Sequence, residues 1–404
     1  MIYLISLIFL SLPAYLIRFS VFGIPTTVLE VLIYVVFILG LWQARGKWRL
    51  IPWKIYLPIG LFIIALVISV IIAPDKRTAL GEFKGFFFDP LLVFWLVFQF
   101  LKREDIPKVI WALAFSGLFV SVHTIVQKIL GNVTTDGRVI GLFGYSPNYV
   151  ALYLTPIAVL LIAYGSDALV GVPTNRRDIL LMVKTKYWLS AICYLLSAIC
   201  LVAIYFSGSR GGLLATGAGL AVFFITYFWS WIRGRLSAKI IIAILCLMAI
   251  YMTWVFFRPD FSASLDSGRV VTSNNLRWQI WQTTLELGTK HPISGVGLGN
   301  FQNAFNELTQ DRGNFPEYIT PMALTPHNLF LSLWLSTGIL GFFSFIWLLI
   351  LFYRQAIKKL PEGYSPILIA VMSSILIYGL IEASIWKNDL SIIFFTLWGL
   401  AWII

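Results

Sequence analysis

Arg258–Pro326, RPDFSASLDSGRVVTSNNLRWQIWQTTLELGTKHPISGVGLGNFQNAFNELTQDRGNFPEYITPMALTP, is the one long polar stretch in an otherwise apolar chain. It ends on Thr325-Pro326-His327-Asn328, where the next hydrophobic run begins. On both sides of it, hydrophobic runs of about 17 to 25 residues recur, the length a helix needs to cross a bilayer. The whole chain is 59% hydrophobic and 12% charged, whereas soluble domains carry about a quarter of charged residues. In lipid every backbone polar group must be satisfied within the segment or a closed barrel. The runs lack the dyad alternation of barrel strands, so they are helices. The expected fold is an all-α integral membrane protein whose helices hold one elaborated polar loop.

The net charge of +12 points to membrane topology rather than nucleic acid, because the basic residues sit in short clusters between apolar runs. Cys193, Cys200 and Cys246 lie inside apolar runs as small buried hydrophobes, with no disulfide framework or zinc spacing. The first 20 residues lack a basic leader and a small-residue cleavage site and read as the first span. Twelve spans are expected, at about 2–20, 26–43, 55–73, 85–101, 107–130, 147–164, 188–206, 211–232, 238–257, 327–353, 364–381 and 389–404.

Alternate connections hold Arg45, Lys47, Arg49 and Lys54; Lys102, Arg103 and Lys108; Arg176, Arg177, Lys184 and Lys186; Arg233, Arg235 and Lys239; and Arg354, Lys358 and Lys359. These five short loops contain 17 of the 30 lysines and arginines, which marks them as cytoplasmic. An even number of spans then places both termini in the cytoplasm and the 258–326 loop on the outer, periplasmic or extracellular, side. No internal repeat divides residues 1–404, so the chain reads as one membrane domain with 258–326 as an outer-loop subdomain.

Two short amphipathic helices are expected in that loop. Asn274 or Asn275 can cap a segment from Leu276 to about Gly288, with Leu276, Ile280, Trp281, Thr284 and Leu285 on one side and His291-Pro292 ending it. Asn300 is expected to cap a second, in which Phe301, Ala304, Phe305 and Leu308 follow the helical period. They would lie across the outer mouth of the bundle, at the interface or over a cavity.

The residues that could carry chemistry gather at that end. Ser207-Gly208-Ser209-Arg210-Gly211-Gly212 turns the chain between two spans with almost no loop. An arginine at that depth needs an anion or a wet cavity, and helix-start N–H groups favour negative charge, which makes a phosphate cradle. A tight glycine turn with Arg210 reaching lipid headgroups is the alternative. Arg277, in the first turn of its helix, opposes the dipole; it is either a solvated cation or an anion ligand. Lys76, Arg77, Lys84 and Arg138 could add to an outer cavity attractive to a diphosphate. His327, at the start of a membrane helix, could serve as a proton-transferring base or simply as a satisfied polar cap. His123 and His291 read as structural.

Some features are missing. No Asp-x-Asp pair lies in the first outer loop near Phe19–Thr26, and no cytoplasmic loop offers a nucleotide-binding unit. Gly295-Val296-Gly297-Leu298-Gly299 imitates a dinucleotide fingerprint but lacks its spacing and its βαβ setting. Its expected job is to let backbone bend closely between helices.

As an ordered set, Ser209-Arg210-Gly211-Gly212, Leu276-Arg277-Trp278-Gln279-Ile280-Trp281, His291-Pro292-Ile293-Ser294-Gly295-Val296-Gly297-Leu298-Gly299-Asn300-Phe301 and Pro326-His327-Asn328-Leu329-Phe330 with Thr337-Gly338-Ile339-Leu340-Gly341 resemble the O-antigen ligase family. The resemblance spans about residues 200–345. It implies a GT-C-like membrane glycosyltransferase of the bacterial inner membrane with a periplasmic active site. Such an enzyme moves a glycan from undecaprenyl diphosphate to an acceptor hydroxyl, here on lipid A–core, without a metal ion or other cofactor. By motif, Arg210 and Arg277 would bind the diphosphate and His327 would activate the acceptor; Arg77 and Arg138 are weaker candidates. The partners implied are the lipid-linked glycan, the lipid A–core or another glycan acceptor and membrane lipids, not nucleic acid. An O-antigen polymerase or protein O-glycosyltransferase would share these residues. A lipid-linked glycan transporter would be expected to show inverted repeats and mid-span charge, which are not seen.

Overall fold

The computed structural model describes all residues except 22–23, 135–136, 143–145, 171–178, 229–263, 267–268, 272, 311–322 and 362. The helices in chain order are α1 (Ile2–Leu10), α2 (Val28–Ala44), α3 (Trp53–Ile72), α4 (Lys76–Phe83), α5 (Asp89–Phe100), α6 (Ile106–Ile129), α7 (Pro147–Val170), α8 (Ile179–Phe206) and α9 (Arg210–Tyr227). They continue with α10 (Ser273–Lys290), α11 (Phe301–Thr309), α12 (Leu329–Ile357), α13 (Ser365–Tyr378) and α14 (Asn388–Ile403). Seven helical segments among the described residues are long and apolar enough to cross a membrane, and α2, α13 and α14 are shorter apolar helices. The chain is an all-α, multi-pass membrane protein. The span expected at 238–257, and with it Cys246, lies outside the described residues; Cys193 and Cys200 are buried.

Two expectations are corrected. No single helix covers 2–20: α1 stops at Leu10, a 3₁₀ turn follows at Leu12–Leu16, and β1 (Arg18–Val21) pairs antiparallel with β2 (Ile24–Thr27). Pro13 supplies the reason, since it has no N–H to give and its ring collides with the carbonyl four residues back. The fourth span begins nine residues earlier than position 85, at Lys76. There the Asp75 carboxylate accepts the Arg77 and Thr78 N–H groups as a helix cap, and α4 runs into α5 through the π-helical turn Lys84–Phe88.

The main core lies where α12 packs along α3, α13 along α9 and α7, and α14 along α5. A second, smaller core belongs to the outer loop. Ile280 and Leu287 of α10 meet Phe301 and Phe305 of α11, Val296, Ala323, and Leu335 of α12. Fully burying a side chain such as Phe305 stabilises by about 2–3 kcal/mol, so this cluster fixes the loop on the bundle. Leu285, expected on the buried face of α10, is exposed instead; Thr283 and Leu287 take that side.

α12 is broken at Gly338, whose φ of 66° and ψ of −171° leave the helix. The break frees carbonyls and N–H groups, and the glycine-rich loop takes them: Val296 N–H donates to Leu335 O at 2.7 Å, and Ile339 N–H to Ile293 O at 3.1 Å. A Cβ on Gly338 would strike the Ile293 carbonyl, and one on Gly295 the Leu335 carbonyl. Gly295-Val296-Gly297 is therefore a backbone-to-backbone joint, as its glycines suggest.

The loops sort to two ends. Gln99 bonds the backbone of Lys47 and Arg49, and Arg103 packs on Gly363, which brings the basic connections 45–52, 101–105 and 358–364 together. At the other end lie the turns at 73–78, 207–210, 291–300, 325–328 and 379–387.

Candidate functional site

Every residue of Thr325-Pro326-His327-Asn328 has a local task. The Asn328 carboxamide oxygen caps α12 by accepting the Phe330 and Leu331 N–H groups at 2.9 and 3.1 Å, while its nitrogen donates to Leu380 O at 2.8 Å. Trp281 of α10 donates its indole N–H to Pro326 O at 3.0 Å. Leu329 N–H reaches Gly379 O at 2.6 Å. These contacts tie the start of α12 to α10 on one side and to the connection between α13 and α14 on the other. His327 between them has φ 47°, in the left-handed region that a non-glycine residue enters at a cost of about 1–3 kcal/mol.

The strained backbone aims the imidazole at a carboxylate. His327 Nδ1 lies 2.6 Å from Glu382 Oε1. The other oxygen, Oε2, accepts from Asn148 Nδ2 of α7 at 3.3 Å and faces Arg277 Nη2 at 3.5 Å. Glu382 therefore joins three elements distant in sequence. Burial alone would push its carboxyl up; His327, Arg277 and then Lys387 outweigh burial and hold it at about 2. An ionised carboxylate can only accept, so His327 Nδ1 carries the hydrogen that faces Glu382. Arg277 keeps its Nε–H buried, without a hydrogen-bond partner among the described residues.

Arg210 is the first residue of α9. Gly208 makes the turn before it at φ 67°, and the Ser209 hydroxyl accepts from Gly212 N–H at 3.2 Å and meets the Tyr378 hydroxyl at 2.6 Å. Tyr378 stands one helical turn before Glu382, whose N–H donates to the Tyr378 carbonyl at 3.0 Å. Gly211 is packed on Tyr378 and Ile381. The structure thus brings the Arg210 turn against the backbone that presents Glu382. Arg138 joins the same neighbourhood, because its side chain lies across Gly208 and Val139 N–H donates to Phe206 O at 3.3 Å.

Arg77 is placed differently. It is exposed on α4, the helix that carries Thr78 against Gly299 and receives the Gly299 N–H on Glu82 Oε2 at 3.0 Å. That puts it on the rim formed by the 297–299 loop, with the Trp386 indole donating to the same Glu82 oxygen at 3.4 Å. His291 closes α10, where its N–H donates to Leu287 O at 3.1 Å, and His123 lies within α6.

Sequence reasoning did not find Glu382, Asn148 or Tyr378. Glu382 had one available signal, a lone carboxylate in a nine-residue connection between apolar helices, on the same end as the long loop. Among the described residues no cluster of three or more His, Cys, Asp and Glu is gathered for a metal ion. The cluster sets an oriented imidazole and the Arg277 guanidinium on one carboxylate, next to the turn that carries Arg210, an arrangement able to take a proton and to hold an anion.

Residues 195–346, which include Arg210, Arg277 and His327, match the family model described as O-Antigen ligase. The chain is also similar to an O-antigen ligase of Salmonella typhimurium, 22% identical over 306 residues that cover 73% of this chain and 68% of the relative.

Proposed function

We propose that the chain, which is similar to the O-antigen ligase family over residues 195–346, is an enzyme of that family and transfers a glycan from undecaprenyl diphosphate to a hydroxyl of lipid A–core. The observation that carries the reading is the meeting of His327 and Arg277 on one buried carboxylate, next to the turn that presents Arg210.

His327 Nε2 takes the acceptor proton as the new C–O bond forms. The glycosidic C–O bond to the diphosphate breaks from the opposite face, so the transfer is a single displacement that inverts the anomeric carbon. Charge grows on the leaving diphosphate in the transition state. Arg277, with its buried unpaired Nε–H, and Arg210, at the N-terminus of α9, supply cationic donors for that charge. Arg138 extends the cationic wall and Arg77 marks its rim. Guanidinium groups in these places support a transfer that needs no metal ion. The reading puts this end of the bundle in the periplasm, the basic end and both termini in the cytoplasm, and the protein in the inner membrane.

Transfer from a synthetic undecaprenyl-diphosphate glycan to lipid A–core, with EDTA present, tests it. We expect full wild-type transfer and a loss of about 10²-fold or more in His327→Ala and Arg210→Ala. Lengthening of the donor glycan with lipid A–core untouched would replace ligation by polymerisation.

A further inference from the structure

We infer that Glu382 is a positioning residue for the reaction, one carboxylate that sets the imidazole with one oxygen and holds Arg277 ready for the donor with the other. The inference rests on the reading of His327 as base and Arg277 as diphosphate ligand.

Three observations carry it. First, the geometry divides the carboxylate cleanly: Oε1 belongs to His327 at 2.6 Å, and Oε2 belongs to Arg277 and Asn148 at 3.5 and 3.3 Å. Second, the residue is 7% exposed in a connection between apolar helices. A carboxylate is costly there unless its surroundings use its charge. Third, the connection is held on both sides: Glu382 N–H bonds the Tyr378 carbonyl, and the neighbouring Leu380 and Gly379 carbonyls accept from Asn328 and Leu329. The carboxylate and the imidazole are thus fixed to the same backbone joint, and neither can turn away alone.

A carboxylate on Nδ1 selects the tautomer with a lone pair on Nε2 and steadies the positive charge that appears when the ring takes a proton. The Arg277 contact, at 3.5 Å, is an ion pair without good hydrogen-bond geometry. Binding of a diphosphate would therefore draw on Arg277 donors that Glu382 leaves unused, Nε–H among them. Among the described residues, the charged and titratable groups that act on Glu382 or face it are His327 from the start of α12, Arg277 from α10, Tyr378 from α13 and Lys387 from its own connection; α7 presents the neutral Asn148. With its own carboxyl held at about 2, Glu382 stays ionised throughout a pH 5–9 assay.

The test compares wild type, Glu382→Gln, Glu382→Asp and His327→Ala in the same transfer assay, with kcat and donor KM followed from pH 5 to 9. Glu382→Gln should lose about 10²–10⁴-fold in kcat, the scale of losing a base-orienting carboxylate, and should raise donor KM about tenfold because Arg277 loses the oxygen that holds it. Its acidic limb should move to lower pH by about one unit, because the charge that favours the protonated ring is gone. Glu382→Asp keeps the charge, so it should keep the wild-type limb and recover part of the rate. If Glu382→Gln does not fold, a Glu382→Asp enzyme with the wild-type limb still supports the role. A Glu382→Gln enzyme with wild-type kcat and limb, beside an inactive His327→Ala, would overturn the inference alone. An active His327→Ala would instead overturn the reading beneath it.

Discussion

At His327, one side chain is held in a left-handed conformation, φ 47°, that most residues avoid. The strain is offset by neighbours that overdetermine it: the Asn328 cap, the Trp281 bond to Pro326 O, and the Glu382 carboxylate on the ring. Arg277 is the other residue whose chemistry is specific. Its planar guanidinium faces Glu382 through Nη2 and leaves Nε–H for an anion, a division that a lysine ammonium cannot reproduce. Arg277→Lys should therefore raise donor KM by about tenfold or more while the protein still folds, read by initial rates against donor concentration. An unchanged KM would remove Arg277 from the diphosphate site. The histidine and both arginines stood out in the sequence because a charged or titratable group at the edge of an apolar run needs a reason. Glu382 did not, because a lone carboxylate in a short turn makes no pattern; its partners lie 55, 105 and 234 positions away and only folding gathers them.

Among the elements, α12 carries the most strain and the most information. Its break at Gly338 exchanges helix hydrogen bonds for bonds to the 293–296 loop, which locks the outer loop to the membrane bundle. Gly338→Ala would place a Cβ on the Ile293 carbonyl at a positive φ with ψ −171°, a combination reserved for glycine. We expect a loss of about 3 kcal/mol or more, seen as a lowered melting temperature in detergent, and displacement of the loop. The sequence pattern of Gly295, Gly297 and Gly299 marked a close backbone joint. It could not show that the second partner was a helix already broken, since hydrophobic periodicity runs through Gly338 without interruption. Pro13 is the converse: its effect on α1 is local and was available in the sequence, but the length of the apolar run around it masked the stop.

For the molecule as a whole, the two ends differ in charge and task. The basic connections meet at one end through Gln99 and Gly363, and the His327 cluster lies at the other. Single cysteines at Trp48 and Leu324, which are 49% and 64% exposed, report on these ends. In intact cells a membrane-impermeant maleimide should label Leu324→Cys and spare Trp48→Cys. The opposite pattern would invert the proposed orientation.

What the sequence determined by itself is the membrane class, most of the long apolar helices and the position of the long polar stretch between them. These follow from local rules: apolar length, helical period, caps, and the asymmetry of lysine and arginine. Tertiary structure alone decided which polar and charged groups meet. Glu382, Asn148 and Tyr378 acquire their roles from distances of a few ångströms between helices far apart in the chain. Such contacts depend on packing geometry, which leaves no period in the sequence that forms it.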